Sequence, residues 1–304
     1  MILFSGNSNP QLAQEISKGL STHLGDRVLR TFADGESYCE YFHTPRGKHT
    51  LIIQSISNPV NNNLMDACVM IDAAKRGGAK SITLCAPYLG YGRQDKRDKE
   101  KRSPISARMV ADMLQVVGIH QLITIDIHNP AIEGFYNVPF LNASTSELLT
   151  NDIKQRNYDQ GNLVVVSPDA GGVERARVIA KKLNNSDVAI IDKRREKANE
   201  VEEMRLIGDV SGKTAILLDD IADTCGTLVK GSDLLYEKGA KTVVVYVSHG
   251  VFSNDALERI QKAQLQELVV TNSIRNEEAD KVGKIRRISV APLLLDAIRR
   301  AVER

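Results

Sequence analysis

Short β-branched runs alternate with amphipathic stretches along the chain. "HTLIIQS" is followed by "NNLMDACVMIDAAKRGGA" and then "KSITLCAP"; later "NLVVVSP" is followed by "ERARVIAKKL" and "VAIID". Continuous apolar runs are the signature of strands buried on both faces, and helix-period segments between them supply the cover. The pattern predicts βαβ units, a largely parallel sheet flanked by helices, and hence an α/β protein.

Two segments resemble each other: "RGGAKSITLCAPYLGYG" and "EKGAKTVVVYVSHGVFS". Each reads as a helix stopped by glycine and followed by a strand, and their Gly-Ala-Lys elements begin at Gly78 and Gly239, 161 residues apart. A spacing near half the chain favours two similar α/β halves. The seam is expected near Asn142 to Glu147, where "NASTSE" supplies capping residues for a new helix.

Composition narrows the classes. The 304 residues allow two domains of average size, and 42% apolar with 26% charged residues is ordinary for a globular protein. Forty basic against thirty-eight acidic residues leave +2, so a general polyanion binder is not indicated and no nucleic-acid partner is expected. Cys39, Cys68, Cys85 and Cys225 are scattered without a CxxC pair, which argues against a zinc site or a disulfide framework. "MILFSGNSNP" is apolar for only four residues and no run approaches the ~18 needed to span a bilayer, so a cytoplasmic protein without a membrane partner is expected.

In open parallel sheets ligands gather at the carboxyl ends of the strands, where the turns and helix N-termini converge. After "NLVVVSP" comes "DAGGVERAR", after "VAII" comes "DKRREK", after "AILL" comes "DDIADTCGT", and after "VVVYV" comes "SHGVFS". In the first half "SITLCAP" leads into "YLGYGRQDKRDKEKR" and "HQLITI" into "DIHNP". Glycines that admit backbone N–H groups, threonine hydroxyls and carboxylates suit a phosphorylated ligand with a divalent cation. Singly, "DAGG" is as well a tight turn, "DKRREK" a solvated charge run and His128 a structural histidine; together they point to one ligand edge. "GDVSGKT", Gly208 to Thr214, imitates a Walker A loop but has three residues between its glycines where that loop needs four, and it precedes a strand; it reads as a turn.

"AILLDDIADTCGT" leaves four readings open: a metal site, a phosphate cradle, a redox thiol at Cys225, or an acidic turn. Two acidic residues ending a buried strand, then Asp-Thr-x-Gly-Thr opening a helix, resemble the phosphoribosyl diphosphate motif of the type I phosphoribosyltransferase fold. Within that fold "FADGE", "YGRQDK", "SPISARMVADML", "DIHNPAIEGFY", "VVVSPDAGG", "DKRREKANEV" and "LLDDIADTCGT" resemble the ribose-phosphate diphosphokinase (PRPP synthetase) family, in family order over nearly the whole chain. The resemblance implies two similar type I phosphoribosyltransferase-like domains, 1–144 joined by the C-terminal helix 288–304, and 145–287. It implies a Mg2+-dependent transfer of the β,γ-diphosphoryl group of ATP to the anomeric hydroxyl of ribose 5-phosphate, giving PRPP and AMP, in a homo-oligomer built from dimers, with hexamers in the family.

By the same resemblance Asp223, Thr224, Cys225, Gly226 and Thr227 cradle the 5-phosphate, and Asp219 and Asp220 accept the ribose hydroxyls, as ionised carboxylates do well. Cys225 occupies a small-residue slot; its place at a helix start raises the question of a lowered thiol pKa. His128 and Asp169, with Asp126 in addition, match magnesium-linked positions. Phe32, Asp34, Glu36, Arg93, Gln94, Asp95 and His128 match the ATP side, with an aromatic face for adenine and a guanidinium for phosphate. Lys193 and Arg195 fall in the family's catalytic loop, where cations meet charge developing on phosphoryl oxygens.

Two departures stand out. "KRDKEKRSPIS" carries one residue more than the animal enzymes, in a segment tied to nucleotide and regulatory contacts. The sequence stops at "AIRRAVER", before a short tail that in many members helps form a regulatory phosphate and ADP site; Arg46 matches a phosphate position of that site, but ADP inhibition and phosphate activation are not carried over with it. The rivals are a catalytically silent PRPP synthetase-associated subunit, against which the uninterrupted loop with Lys193 and Arg195 speaks, and a PRPP-using phosphoribosyltransferase, which needs one domain and no ATP half.

Overall fold

The computed structural model describes residues 1–97, 102–156, 158–159, 161–194 and 203–302. They divide into two compact units: unit 1 comprises 1–143, 273–275 and 289–304, and unit 2 comprises 144–272 and 276–288.

Unit 1 runs β1 (Ile2–Ser5), α1 (Pro10–Gly19), a hairpin β2 (Arg27–Thr31) and β3 (Ser37–Tyr41), β4 (His49–Ile53), α2 (Val60–Arg76), β5 (Ser81–Ala86), α3 (Ser106–Val117), β6 (Gln121–Ile125) and β7 (Phe140–Ala143). The sheet order is β1-β4-β5-β6-β7, all parallel. Phe4, Ile52, Leu84 and Leu122 on the strands pack with Leu64, Met70 and Ile71 of α2 and Val110 and Leu114 of α3. Unit 2 runs α4 (Ser146–Gln155), β8 (Leu163–Ser167), α5 (Val173–Lys182), β9 (Asp187–Arg194), β10 (Glu203–Ile207), β11 (Thr214–Ala222), α6 (Gly226–Glu237), β12 (Thr242–Gly250), α7 (Ala256–Lys262), β13 (Glu267–Thr271) and β14 (Ile285–Ile288). Its order is β10-β9-β8-β11-β12-β13-β14, parallel except for the β9–β10 pair. Val164, Val166, Leu217 and Val245 face one layer of helices, and Val165, Ile216, Val244 and Tyr246 face the other, which is why these strands read as unbroken apolar runs. The last helix, α8 (Ala291–Val302), packs in unit 1: Leu295 lies where a Cβ on Gly19 would fall, and Arg299 Nη2 donates to the Gly19 carbonyl at 3.0 Å.

From β1 to β7 and from β8 to β14 the elements follow in the same order, and β1-β4-β5-β6-β7 corresponds strand for strand to β8-β11-β12-β13-β14. The correspondence reaches single hydrogen bonds. Gly47 N–H donates to the Gly78 carbonyl at 2.8 Å and Lys80 N–H to Lys48 at 2.9 Å; Gly212 N–H donates to Gly239 at 2.8 Å and Lys241 N–H to Lys213 at 2.8 Å. All four glycines have positive φ, between +68° and +87°, open to glycine at little cost. The Walker-like "SGKT" is thus the second copy of the turn "RGKH" that enters β4, and Lys213 is engaged with Asp187 at 2.9 Å and Asp209 at 3.3 Å.

Within "NASTSE", Ser144 Oγ accepts the Ser146 N–H at 3.3 Å, whereas the Thr145 hydroxyl pairs with Ser248 Oγ on β12 at 3.1 Å. The hydroxyl anchors the helix to the sheet rather than to its own first turn.

Candidate functional site

In unit 2 the site residues stand at the carboxyl ends of β8 and β11. After Ser167 the chain turns through Pro168 and Asp169; Ser167 Oγ donates to the Asp169 carbonyl at 2.7 Å, and Asp169 Oδ1 accepts the Gly172 N–H at 2.9 Å. That bond caps the entry to α5 and fixes one Asp169 oxygen. On β11 the apolar run ends at Leu218; Asp219 is half-buried and Asp220 buried, with the Asp220 N–H on Asp219 Oδ1 at 2.9 Å. Arg175, one turn into α5, brings Nη1 to 3.7 Å from Asp220 Oδ1.

Burial pushes the Asp219 carboxyl up to about 8, and the neighbouring Asp220 and Asp169 charges push the same way. At neutral pH the pair by itself therefore resists carrying two full charges. A diol that donates hydrogen bonds, or a cation, relieves that repulsion. The expectation of two simply ionised acceptors is sharpened accordingly.

Beyond Ala222 the chain forms the loop Asp223–Cys225 and enters α6. Cys225 is buried at φ +60°, ψ 3°, the left-handed conformation that turns the strand sharply into the helix and costs a residue with a Cβ about 1–2 kcal/mol. The loop is held from behind: Ser253 N–H donates to the Asp223 carbonyl at 3.0 Å, and Arg259 Nη1 to the Thr224 carbonyl at 3.3 Å. Its front is open. No side chain caps α6, and the backbone N–H groups of Thr224, Cys225, Gly226 and Thr227 meet no acceptor among the described residues. Asn9 caps α1 and Asp169 Oδ1 takes the Gly172 N–H ahead of α5, whereas at the start of α6 four successive N–H groups stand bare at the positive end of the helix, with exposed Thr224 and half-buried Thr227 beside them. Burial raises the Cys225 thiol to about 12, with Asp223 adding to the rise, which answers the question of a lowered thiol pKa in the negative.

In unit 1 two turns follow β5 and β6. Ser106 Oγ donates to Gln94 Oε1, and Asn129 Nδ2 to Asp95 Oδ2, so Asn129 ties the 91–97 loop to the 126–130 turn. Asn129 Oδ1 also accepts the Ala131 N–H at 3.0 Å, opening a 3-10 turn over Pro130–Phe135. Arg93, Gln94 and His128 are exposed, and Asp95 and Asp126 half-buried, with Asp126 at φ +33° and its N–H on the Ala143 carbonyl at 3.2 Å. Phe32, Asp34 and Glu36 form the exposed tip of the β2–β3 hairpin, closed by Phe32 N–H on Glu36 O at 2.8 Å and Glu36 N–H on Asp34 Oδ1 at 3.2 Å. Arg46 sits elsewhere: it is exposed at the entry to β4, at the opposite edge of the sheet from the β5 and β6 turns, bridged to Ala79.

Lys193 lies on β9 opposite Met204, and Arg195 falls outside the described residues. Among the described residues no group of three or more His, Cys, Asp and Glu side chains is gathered as a metal cluster, and no helix is long and apolar enough to cross a membrane. The sequence pattern passed over Arg175, which looks like a solvent position of "VERARVIAKK" until the fold sets it against Asp220; its place three residues after a capped Gly172 was the available signal. It also passed over Asn129, whose place after "DIH" in a strand-end turn was the corresponding hint.

Comparison with known proteins bears on the whole chain. The family model of the N-terminal domain of ribose phosphate pyrophosphokinase matches residues 1–118, and that of the phosphoribosyl synthetase-associated domain matches residues 191–304. The chain is 46% identical to a ribose-phosphate pyrophosphokinase of Ralstonia nicotianae over 303 residues, 99% of this chain and 95% of the relative. It is 46% identical to that of Haemophilus influenzae over 299 residues, 98% and 95% of the two chains. The crystal structure of phosphoribosylpyrophosphate synthetase from Mycobacterium smegmatis matches with a TM-score of 0.93 at 38% identity, covering 99% of this chain and 98% of that one. An acid pair at a strand end, an open helix N-terminus after it and the same fold repeated in each half agree with this kinship: the chain belongs to the ribose-phosphate pyrophosphokinase family.

Proposed function

We propose that the chain transfers the β,γ-diphosphoryl group of ATP to ribose 5-phosphate, with unit 2 binding the acceptor and unit 1 the nucleotide. The observation that carries the assignment of unit 2 is the run of four backbone N–H groups, Thr224 to Thr227, that meet no acceptor among the described residues at the start of α6, a few residues beyond the Asp219–Asp220 pair. The 5-phosphate takes the donors, and the sugar's hydroxyls donate to the carboxylates; Arg175 Nη1, 3.7 Å from Asp220 Oδ1, orients that carboxylate.

On the nucleotide side Phe32 offers adenine a face, Asp34 and Glu36 its polar edge, and Arg93, Gln94, Asp95 and His128 the phosphates and ribose. In the transfer a bond forms between the anomeric oxygen and the β-phosphorus, the bond from that phosphorus to the α-phosphate oxygen breaks, and AMP leaves; the anomeric proton passes to solvent. Positioning and charge stabilisation carry such a step, which gives Lys193 and Arg195 their role on the transferring oxygens. Asp169 in unit 2, and His128 with Asp126 in unit 1, would each hold Mg2+; within unit 2 the carboxylate repulsion around Asp219, to which Asp169 adds, fits a cation that keeps few protein ligands. Bound magnesium supplies neutralisation of the diphosphate charge. The protein works as a cytoplasmic homo-oligomer.

The test is direct. Purified protein with ATP, ribose 5-phosphate and Mg2+ should yield AMP and PRPP in equal amounts; absence of AMP formation that depends on ribose 5-phosphate overturns the reading. Mass in solution, with and without phosphate, checks the assembly.

A further inference from the structure

Strand alternation gives the β2–β3 ribbon two faces. One is turned to α2: Leu29 is buried, Ser37 Oγ donates to Asp66 Oδ1 at 2.6 Å, and the Tyr41 hydroxyl donates to the Met70 carbonyl at 2.9 Å. The other carries Arg30 and Tyr38, direct cross-strand partners, followed by Phe32 at the tip. A solvated ribbon face ordinarily bears polar side chains, yet here two aromatic rings and a guanidinium are gathered on it. The Arg30 Cζ lies 5.0 Å from the Phe32 ring centroid and 5.4 Å from that of Tyr38, and the two rings are 5.4 Å apart at 58°. The Tyr38 hydroxyl is in turn tied to Glu40 Oε2 at 3.1 Å. Phe32 nevertheless keeps 40% of its surface exposed.

We propose that Arg30 and Tyr38 are positioning residues for the nucleobase: they clamp the Phe32 ring so that its open face is a preset stacking platform for a purine. This rests on the reading of Phe32 as the adenine contact. A lone exposed phenylalanine loses side-chain freedom when a base stacks on it, whereas a ring already held by a guanidinium and a tilted neighbour has lost it beforehand. The guanidinium also draws on the ring's electron density from one side, which favours an electron-rich purine on the other.

Arg30→Met and Tyr38→Leu should each raise KM for ATP by about two- to tenfold, the range set by ordering one side chain on binding. Neither should alter kcat or KM for ribose 5-phosphate, and Arg30→Lys should recover part of the loss. Competition by adenosine separates base from phosphate: its inhibition constant should rise alongside KM for ATP. If ATP binding weakens and adenosine binding does not, Arg30 contacts phosphate directly and the positioning role is overturned. Unchanged KM in both variants, with the melting temperature kept, overturns it as well. Phe32→Ala isolates the underlying reading: if it leaves KM for ATP unchanged, Phe32 is not the base contact and that assignment fails. If it raises KM where Arg30→Met and Tyr38→Leu do not, the clamp alone fails.

Discussion

Replacing Arg286 by methionine should destabilise unit 2 by about 3 kcal/mol at pH 7, within the range for removing one partner of a largely buried ion pair. Arg286 on β14 donates through Nη1 and Nη2 to both oxygens of Asp152 on α4, at 2.8 and 2.7 Å, and through Nε to Glu267 Oε2 on β13 at 2.8 Å. The side chains of Asp152 and Glu267 are only 19% and 18% exposed, so water replaces little of what is lost. Three charge-assisted bonds at roughly 1.5–3 kcal/mol each set an upper bound well above the expected loss. It is not reached, because the Tyr246 hydroxyl at 2.7 Å still donates to Asp152 and the Tyr158 hydroxyl to Glu267, with Arg156 3.5 Å from Glu267. Urea titration followed by circular dichroism should show a lower midpoint at an unchanged slope, and the melting temperature should fall by roughly 6–12 °C.

The pH dependence tests the cause. Burial alone would raise both carboxyls, but hydrogen bonds from Arg286 and from the tyrosines outweigh it and hold Asp152 and Glu267 below their ordinary values. A depressed folded pKa means that the unfolded chain binds more protons in the window between the two values. The stabilisation is therefore complete above the unfolded carboxyl range near pH ~4 and is lost as pH falls through the folded values. The gap between the parent protein and Arg286→Met should shrink on acidification, and replacing Asp152 and Glu267 by Asn and Gln in the same chain should restore part of the loss. A gap below about 1 kcal/mol at pH 7, or one that stays constant down to pH 3.5, would refute the reasoning.

Three other outcomes are expected. Arg175→Met removes the cation 3.7 Å from Asp220 and should raise KM for ribose 5-phosphate about five- to thirtyfold, equivalent to ~1–2 kcal/mol, with KM for ATP unchanged in steady-state assays. Gly239→Ala should cost about 1–2 kcal/mol in thermal melts, since φ is +87° and the new Cβ lies 3.2 Å from Ser211 Oγ; Gly47→Ala, at +68° with open space, should cost less, and equal costs would count against the crowding argument. The Cys225 thiol, buried and raised to about 12, should resist thiol-specific reagents in the folded protein at pH 8, so rapid labelling mapped to Cys225 would show the loop opening.

What could be read from the chain followed burial. Strands β4, β5, β8, β11 and β12 are covered on both faces, so their apolar runs announce them before any fold is known. β10 is an edge strand of mixed character, "EMRLI", pairing antiparallel with β9, and left no comparable trace. Side-chain partners set by tertiary structure were also hidden. Thr145 looks like a cap and serves Ser248; Arg175 looks like a solvent-facing helix residue and serves Asp220. The strand-end positions of Asp219, Asp220 and Asp169 were legible, but their mutual repulsion depends on how deeply they are buried, which no spacing conveys.

The duplicated order of elements raises the question of why, among the described residues, the proposed phosphate cradle stands in one half and not at the matching corner of the other. The counterparts of β11 and α6 in unit 1 are β4 and α2, and the corner between them is filled. After Ile53 come Gln54 and Ser55, neutral where unit 2 has Asp219 and Asp220, and then Ser57, all three nearly fully buried. Gln54 Nε2 donates to Asn63 Oδ1 at 3.1 Å, Asn63 Nδ2 to the Ser57 carbonyl at 2.8 Å, and the Asn63 N–H to Pro59 at 2.9 Å, while Gln54 Oε1 accepts the Ser8 N–H at 3.1 Å. This closed amide network satisfies polar groups that would otherwise seek a ligand, and the proline before α2 has no N–H to give an anion. On the proposed reading, a sugar phosphate among the described residues is suited by the corner of unit 2, and the nucleotide contacts proposed for unit 1 lie at the turns after β5 and β6, where Asp95, Asn129 and His128 stand. The same order of elements occurs twice, and on the proposed reading a plug of amides in one half and a pair of carboxylates before four unaccepted N–H groups in the other separate the two roles.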